Sequence, residues 1–262
     1  MLPIQINELP IEIKEELGVI KNIQYPKQGC TSDVAVIETD ATTYVVKRAK
    51  GEQYCSWLSK ESSVLNALKN CSLPIPNVFN FVEQKEESQS WILMDFLEGE
   101  TVRSALLNEK NREKRQDIVY QFGKVLSQIH STPCPKEFYP SSTWLEEMLK
   151  TAEYNLKHYE VDGTRELLDT IKTNKPRPVK QTLIHGDFTV DNVLMNNGKI
   201  SGIIDWSGGA FGDPRYDASL AIRRKKDVFE EEDVAIFFEG YRSKIINNEE
   251  RQYFDNGLYE FF

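Results

Sequence analysis

TLIHGDFTVDNVLMNNGKISGIIDWSGGAFGDPRY, residues 182–216, is the stretch on which the fold of this chain turns. Leu183 and Ile184 give an apolar strand signal, and polar residues follow at fixed offsets, His185-Gly186-Asp187 and Asn192. Asn197-Gly198 predicts the turn of a short hairpin. A second apolar run, Ile203-Ile204, then delivers Asp205 just before Trp206. Apolar strands that end in an Asp, an Asn and another Asp set oxygen donors along one rim of a sheet. Oxygen donors suit hard divalent cations, which carry phosphates. Taken singly, each Asp also fits a strand-end turn, where Asp is common.

Asp187 to Asn192 is a step of five, the step between base and metal ligand in the kinase catalytic loop. His185-Gly186-Asp187-Phe188 with Asn192, then Ile204-Asp205-Trp206 and Gly212-Asp213-Pro214-Arg215-Tyr216-Asp217, resembles the aminoglycoside phosphotransferase family. That family is a small-molecule branch of the protein-kinase-like fold. The resemblance covers nearly the whole chain. It implies an α+β, two-lobe fold: a small N-terminal antiparallel sheet lobe with one main helix, and a larger, mostly helical C-terminal lobe. The expected division is residues 1–97 for nucleotide binding and 98–262 for catalysis and substrate binding. The implied reaction is transfer of the γ-phosphate of ATP or GTP to a hydroxyl.

Bulk properties agree with a globular enzyme and set aside other classes. With 262 residues, 40% apolar and 28% charged, the chain can bury a sizeable core or form two lobes. The net charge of −9, from 32 basic and 41 acidic residues, disfavours a nucleic-acid partner, whose phosphates need a positive surface. The same charge suits a cationic substrate and equally suits plain solubility. No run of 18 apolar residues predicts a membrane span, and the acidic N-terminal stretch lacks a basic leader region. Cys30, Cys55, Cys71 and Cys134 are scattered without metal spacing, which fits reduced thiols in a cytoplasmic protein. The expected partner is a small-molecule hydroxyl substrate, without nucleic acid or membrane, and the chain is expected to act as a monomer or weak dimer.

In order along the first lobe, the pattern predicts a helix over 9–17 ended by Gly18, then strands over 21–25, 34–38 and 42–49. The loop before the second strand holds Gly29, Thr31 and Ser32. By the resemblance these cover the nucleotide phosphates, although a plain hairpin turn reads the same way. Lys47 ends an apolar strand run, and a helix predicted over 57–70 carries Glu61 beside Val64, Leu65 and Leu68. By the resemblance, Glu61 fixes the Lys47 ammonium, which offsets phosphate charge. Arg48, Lys50 and Lys60 are read as solvated. Strands over 78–83 and 90–96 complete the lobe. The crossover after them implies adenine binding through the carbonyl of Asp95 and the N–H of Leu97, with Met94 lining the base pocket.

From Thr101 the pattern is helical: 101–107, 112–130, 143–159 and 164–173 before the 182 strand, then 214–223, 233–246 and 248–262 after it. His130 is read as a helix C-terminal residue near the dipole's negative end. In the chemistry these residues imply, Asn192 and Asp205 hold Mg²⁺, and Asp187 accepts the substrate hydroxyl. His185 braces the loop, and Asp213 and Asp217 support it.

The acceptor is less determined. The ending Tyr259-Glu260-Phe261-Phe262 is similar to the tails of kinases acting on the 3′-hydroxyl, and Arg223 and Asp227 fall in comparable places. Asp187, Arg223, Asp227, Glu260 and Phe262 are therefore the candidate substrate contacts. Val190, Gly208 and Tyr259 depart from that subgroup, which carries polar or acidic residues there. An aminoglycoside-type antibiotic kinase is the leading expectation. A kinase for choline, methylthioribose, homoserine, a ketosamine or a macrolide stays open, as does a nucleotide-binding pseudoenzyme.

Overall fold

The computed structural model describes residues 3–26 and 31–262. Two compact units emerge: Met1–Glu98 with Gly202–Gly208, and Gly99–Ser201 with Gly209–Phe262.

The first unit is built on an antiparallel sheet of β1 (Ile20–Gln24), β2 (Asp33–Thr39), β3 (Thr43–Lys50), β4 (Val78–Gln84) and β5 (Gln89–Asp95), in the order β1-β2-β3-β5-β4. Its two faces follow from the alternation of side chains along a strand. On one face Ile37, Tyr44, Val46, Trp91 and Leu93 pack under α1 (Ile11–Leu17), with Ile4, Leu9, Ile13 and Leu17 closing over them. On the other, Ala49, Ile92 and Met94 meet Leu58 of α2 (Glu52–Leu68). Each such aliphatic side chain, fully buried, contributes on the order of 1.5–3 kcal/mol.

That alternation corrects the reading of Arg48 as solvated. Lys47 points to the α2 face, so Arg48 points to the α1 face, where it is 1% exposed. It bonds Asp33 at 2.8 Å and Glu8 at 3.0 Å, and its guanidinium carbon lies 5.2 Å from the Trp91 ring centroid. The α2 helix also starts five residues before the predicted 57. Gly51, at φ +86°, caps it: the Gly51 carbonyl accepts from the Cys55 N–H at 3.0 Å. The first turn is polar, so apolar periodicity does not reveal it. Gly202–Gly208 groups with this first unit rather than with the second, because the Ile203 N–H donates to the Pro74 carbonyl at 2.8 Å.

The second unit is mainly helical. A two-residue strand β6 (Glu100–Thr101) leads into α3 (Val102–Asn108), whose N-terminus is capped by the Thr101 side chain. Next come α4 (Arg112–Ser131), α5 (Trp144–His158) and α6 (Arg165–Thr173). Asn111, Thr143 and Thr164 cap them in turn, each side-chain oxygen accepting an orphan backbone N–H. Then β7 (Thr182–Ile184), β8 (Val193–Asn196), β9 (Lys199–Ile203) and β10 (Ala210–Gly212) form two small sheets, β10-β7 and β6-β8-β9. Asn197 and Gly198 both have positive φ, as the tight β8–β9 turn requires.

The C-terminal part is α7 (Pro214–Ala221), α8 (Asp233–Tyr241) and α9 (Asn248–Asp255). A Cβ on Gly123 of α4 would lie 1.9 Å from the Phe237 carbonyl oxygen, and one on Gly240 of α8 would lie 2.0 Å from that of Tyr120. These paired glycines let α4 and α8 approach backbone to backbone. Two predicted helices are shorter than expected. Arg242 takes a left-handed φ of +71° and stops α8, and Asn256-Gly257 separates α9 from a short 3-10 helix, Leu258–Phe261.

Candidate functional site

In the first unit the sequence-predicted pair forms. Lys47 Nζ lies 2.7 Å from Glu61 Oε1, 3.0 Å from Glu61 Oε2 and 2.7 Å from Asp205 Oδ1. Strand alternation aims Lys47 at α2, and helical spacing turns Glu61 toward the sheet alongside Val64, Leu65 and Leu68. Lys47 is 7% exposed and Glu61 2%. Burial works against the Lys47 charge, but Asp205 and Glu61 outweigh it and hold the ammonium above the usual lysine range. Burial and the Asp205 charge raise the Glu61 carboxyl, against the pull of Lys47.

Asp205 follows β9 and precedes a 3-10 turn, Trp206–Gly208. Trp206 is fully buried and donates from its indole N–H to the Ile203 carbonyl at 3.0 Å, which anchors the turn. Asp205 has φ +67°, unusual for a residue with a Cβ and of a kind that clusters at functional sites. Its side chain stays about half exposed, at 48%, so a hard cation can reach it. Thr31 and Ser32 line a small pocket together with Tyr54, Glu61, Asp205 and Ser207. Gly29 lies outside the described residues. Met94 is buried against Ala49 and Leu58. Asp95 accepts through Oδ2 from the Asn77 N–H at 3.0 Å and from its amide at 2.6 Å, and Leu97 is half-buried beyond the end of β5.

In the second unit Asp187 and Asn192 are joined across the β7–β8 loop. Asn192 Nδ2 donates to the Asp187 carbonyl at 2.9 Å and to Asp187 Oδ2 at 2.8 Å. With the nitrogen committed there, the amide oxygen is the Asn192 atom that remains as an acceptor, the kind of donor a hard cation takes. Phe188 roots the loop, stacked on Phe122 at 4.8 Å between centroids. Val190 is also buried, at 3% exposure, so its departure from a polar residue places core rather than contact surface in the loop.

Asp217 supports the loop from α7. It is fully buried, and its carboxylate accepts from the His185 N–H at 2.7 Å and the Gly186 N–H at 2.8 Å. Gly186 needs its φ of +83° to present that second N–H. His130 lies in the last turn of α4, as read, and in addition makes side-chain contacts: Nε2 lies 3.2 Å from Asp217 Oδ2 and Nδ1 2.7 Å from the Tyr241 hydroxyl. His185 does brace the loop, with Nδ1 accepting from the Asp187 N–H at 3.2 Å. Asp213 caps α7 and grips Arg215.

The expected substrate contacts divide. Arg223 bonds the Asp255 side chain, donates to the Asp255 carbonyl at 3.1 Å and to Glu260 at 3.5 Å, and lies 4.6 Å from the Tyr259 ring centroid. Phe262 is 40% exposed at the chain end. Asp227 sits on an exposed turn with φ +63°, its N–H donating to Glu230, and no described contact joins it to the Arg223 group. The sequence gives no warning of two features. Asp191 is held by Arg103 and by Lys225 at 2.9 Å; burial would raise its carboxyl, but these cations keep it below the usual carboxylate range. Tyr259 donates to Asp187 Oδ1 at 3.3 Å.

Among known proteins, the model of a family described as "Phosphotransferase enzyme family" matches residues 22–253. An aminoglycoside 3′-phosphotransferase of Enterococcus faecalis is 28% identical over 245 residues, covering 87% of this chain and 85% of the relative. The crystal structure of an aminoglycoside-3′-phosphotransferase of type VIII superimposes with a TM-score of 0.79 at 19% identity, over 96% of this chain and 97% of that one. A streptomycin–ATP ternary complex of APH(2″)-IIa gives a TM-score of 0.67 at 22% identity, over 94% and 86%. At these identities the solved structures establish the α+β, protein-kinase-like two-lobe fold.

Proposed function

Since the chain belongs to the phosphotransferase enzyme family, we propose that it transfers the γ-phosphate of ATP or GTP to a hydroxyl of an aminoglycoside-type antibiotic. The observation that carries the reading is Lys47, buried and charged between Glu61 and Asp205. A fixed ammonium of this kind neutralises nucleotide phosphates, and its carboxylate neighbour keeps it from wandering. Thr31 and Ser32, on the same pocket, supply hydroxyls for the phosphate chain. Met94, Asp95 and Leu97 are assigned to the base.

Asp205 and the amide oxygen of Asn192 are the ligands proposed for Mg²⁺. Such an ion would supply positive charge against the negative charge that develops in a loose transition state. Asp187 receives the acceptor hydroxyl's hydrogen bond and takes its proton late in transfer. Asp217 fixes the two N–H groups that precede Asp187, so loop and base keep one geometry. Because such catalysis is largely positioning and electrostatics, these fixed contacts matter more than any strong base.

One observation favours a second acceptor class. Arg223 engages both Asp255 and Glu260, acids that could otherwise face ammonium groups. A less cationic alcohol, such as a macrolide or small metabolic hydroxyl compound, fits that arrangement. ADP or GDP release, screened with ATP and GTP against aminoglycosides, macrolides and small alcohols, tests both readings. The expected result is magnesium-dependent release with at least one acceptor. Tight Mg–nucleotide binding with no transfer to any acceptor would contradict it and leave a nucleotide sensor.

A further inference from the structure

The 3-10 helix Leu258–Phe261 brings the Tyr259 hydroxyl to the carboxylate of the β7–β8 loop. Tyr259 donates to Asp187 Oδ1 at 3.3 Å while Asn192 donates to Oδ2 at 2.8 Å. A carboxylate's last torsion is broad and intrinsically weak, so donors on its two separate oxygens are what fix its plane. The phenol is itself held. Arg223 lies over its ring, the Tyr216 ring centroid is 6.4 Å away, and Arg223 is tied to Asp255 and Glu260. The tail is anchored just beyond Tyr259. Gly163 N–H donates to the Glu260 carbonyl at 2.7 Å, and buried Asn155 donates to the Phe261 carbonyl at 2.8 Å. Phe261 is fully buried, with Gly163 leaving room for its ring. Burial and the Asp187 charge raise the Tyr259 phenol above its ordinary range, so it remains a protonated donor.

We propose that Tyr259 is a positioning residue for phosphoryl transfer, its phenol holding Asp187 in the one orientation that receives the acceptor hydroxyl. The proposal rests on the reading of Asp187 as the group that meets that hydroxyl. The position that looks like a lost acid in the sequence thus has a different use: it adds a donor beside Asp187 and no second negative charge. Errors of a fraction of an ångström in such a group lower the rate of transfer without changing how tightly the ground state binds.

Tyr259→Phe keeps the ring beneath Arg223 and removes only the hydroxyl. It is expected to lower kcat about tenfold, the scale of one hydrogen bond to a charged group. Acceptor KM and Mg–nucleotide Kd are expected to stay within about twofold, a split that uniform weakening of binding does not produce. In an Asp187→Asn background the same substitution should change kcat by less than about twofold, because the phenol acts through the lost carboxylate. Parent-like kcat in Tyr259→Phe, or an equal fall in both backgrounds, would overturn the proposal. A measurement independent of turnover separates this from the reading beneath it. In protein labelled with 3-fluorotyrosine, the Tyr259 ¹⁹F resonance, assigned by its loss in Tyr259→Phe, should move on Asp187→Asn. An unmoved resonance overturns the contact even if the enzyme turns over, and absence of turnover with every acceptor leaves that spectral test standing.

Discussion

Lys47→Met tests the buried ion pair, because methionine keeps the apolar stem and removes the ammonium. Glu61, 2% exposed, then keeps its carboxylate in a poor environment without its cation. Removing one partner of a buried pair costs about 3–5 kcal/mol. Asp205 adds little, since its half-exposed side chain is already screened and such pairs are worth ~0–1 kcal/mol. The expected loss is therefore about 3–5 kcal/mol, nearly all from Glu61. At ~1.36 kcal/mol per pKa unit, protonating Glu61 offsets that loss over about two to four pH units. The Glu61 carboxyl is already raised by burial in the parent, and losing Lys47 raises it further. For a carboxyl whose folded pKa lies above its unfolded value of about 4.3, stability is full below that value and falls as pH rises through the folded pKa. Urea unfolding should thus show a Lys47→Met deficit that is small near pH ~4.5 and grows toward pH ~8. Lys47→Met with Glu61→Leu should recover stability to within about 1 kcal/mol of the parent. A deficit independent of pH, or a double variant no better than the single, would refute the argument.

Asp217→Ala strands the N–H groups of His185 and Gly186 in the interior and should cost about 2–4 kcal/mol in chemical unfolding, with lower turnover. Gly123→Ala forces a methyl against the Phe237 carbonyl, so calorimetry should show a loss of at least ~1–3 kcal/mol; an unchanged Tm would contradict the close α4–α8 approach. Arg48→Leu leaves Asp33 with an 11% exposed carboxylate and no guanidinium, and should destabilise by roughly 2–4 kcal/mol, whereas a solvated arginine would lose almost nothing.

The sequence reveals residues whose role is local or strictly periodic. Periodicity places Lys47 on a strand and Glu61 on a helix, and the family resemblance is what pairs them; Asp187 and Asn192 are legible from that resemblance because both lie in one short loop at a fixed step. Arg48 is not legible, since its burial depends on Glu8 and the α1 segment forty residues earlier. His130 meets Asp217 on one side and Tyr241 on the other only after α4, α7 and α8 have packed. Tyr259 reads as a missing acid because composition records the lost charge and cannot record where a hydroxyl lands. The early ends of α8 and α9 are hidden for a similar reason: nothing in Arg242 announces a left-handed backbone.

Steady-state release of nucleoside diphosphate by Asp187→Asn, measured beside the parent with Mg–nucleotide affinity, bears most directly on the account. Turnover should fall by about 10²–10⁴-fold, the usual contribution of a positioned acid–base group, while nucleotide Kd stays put. Equal turnover in the two proteins would contradict it.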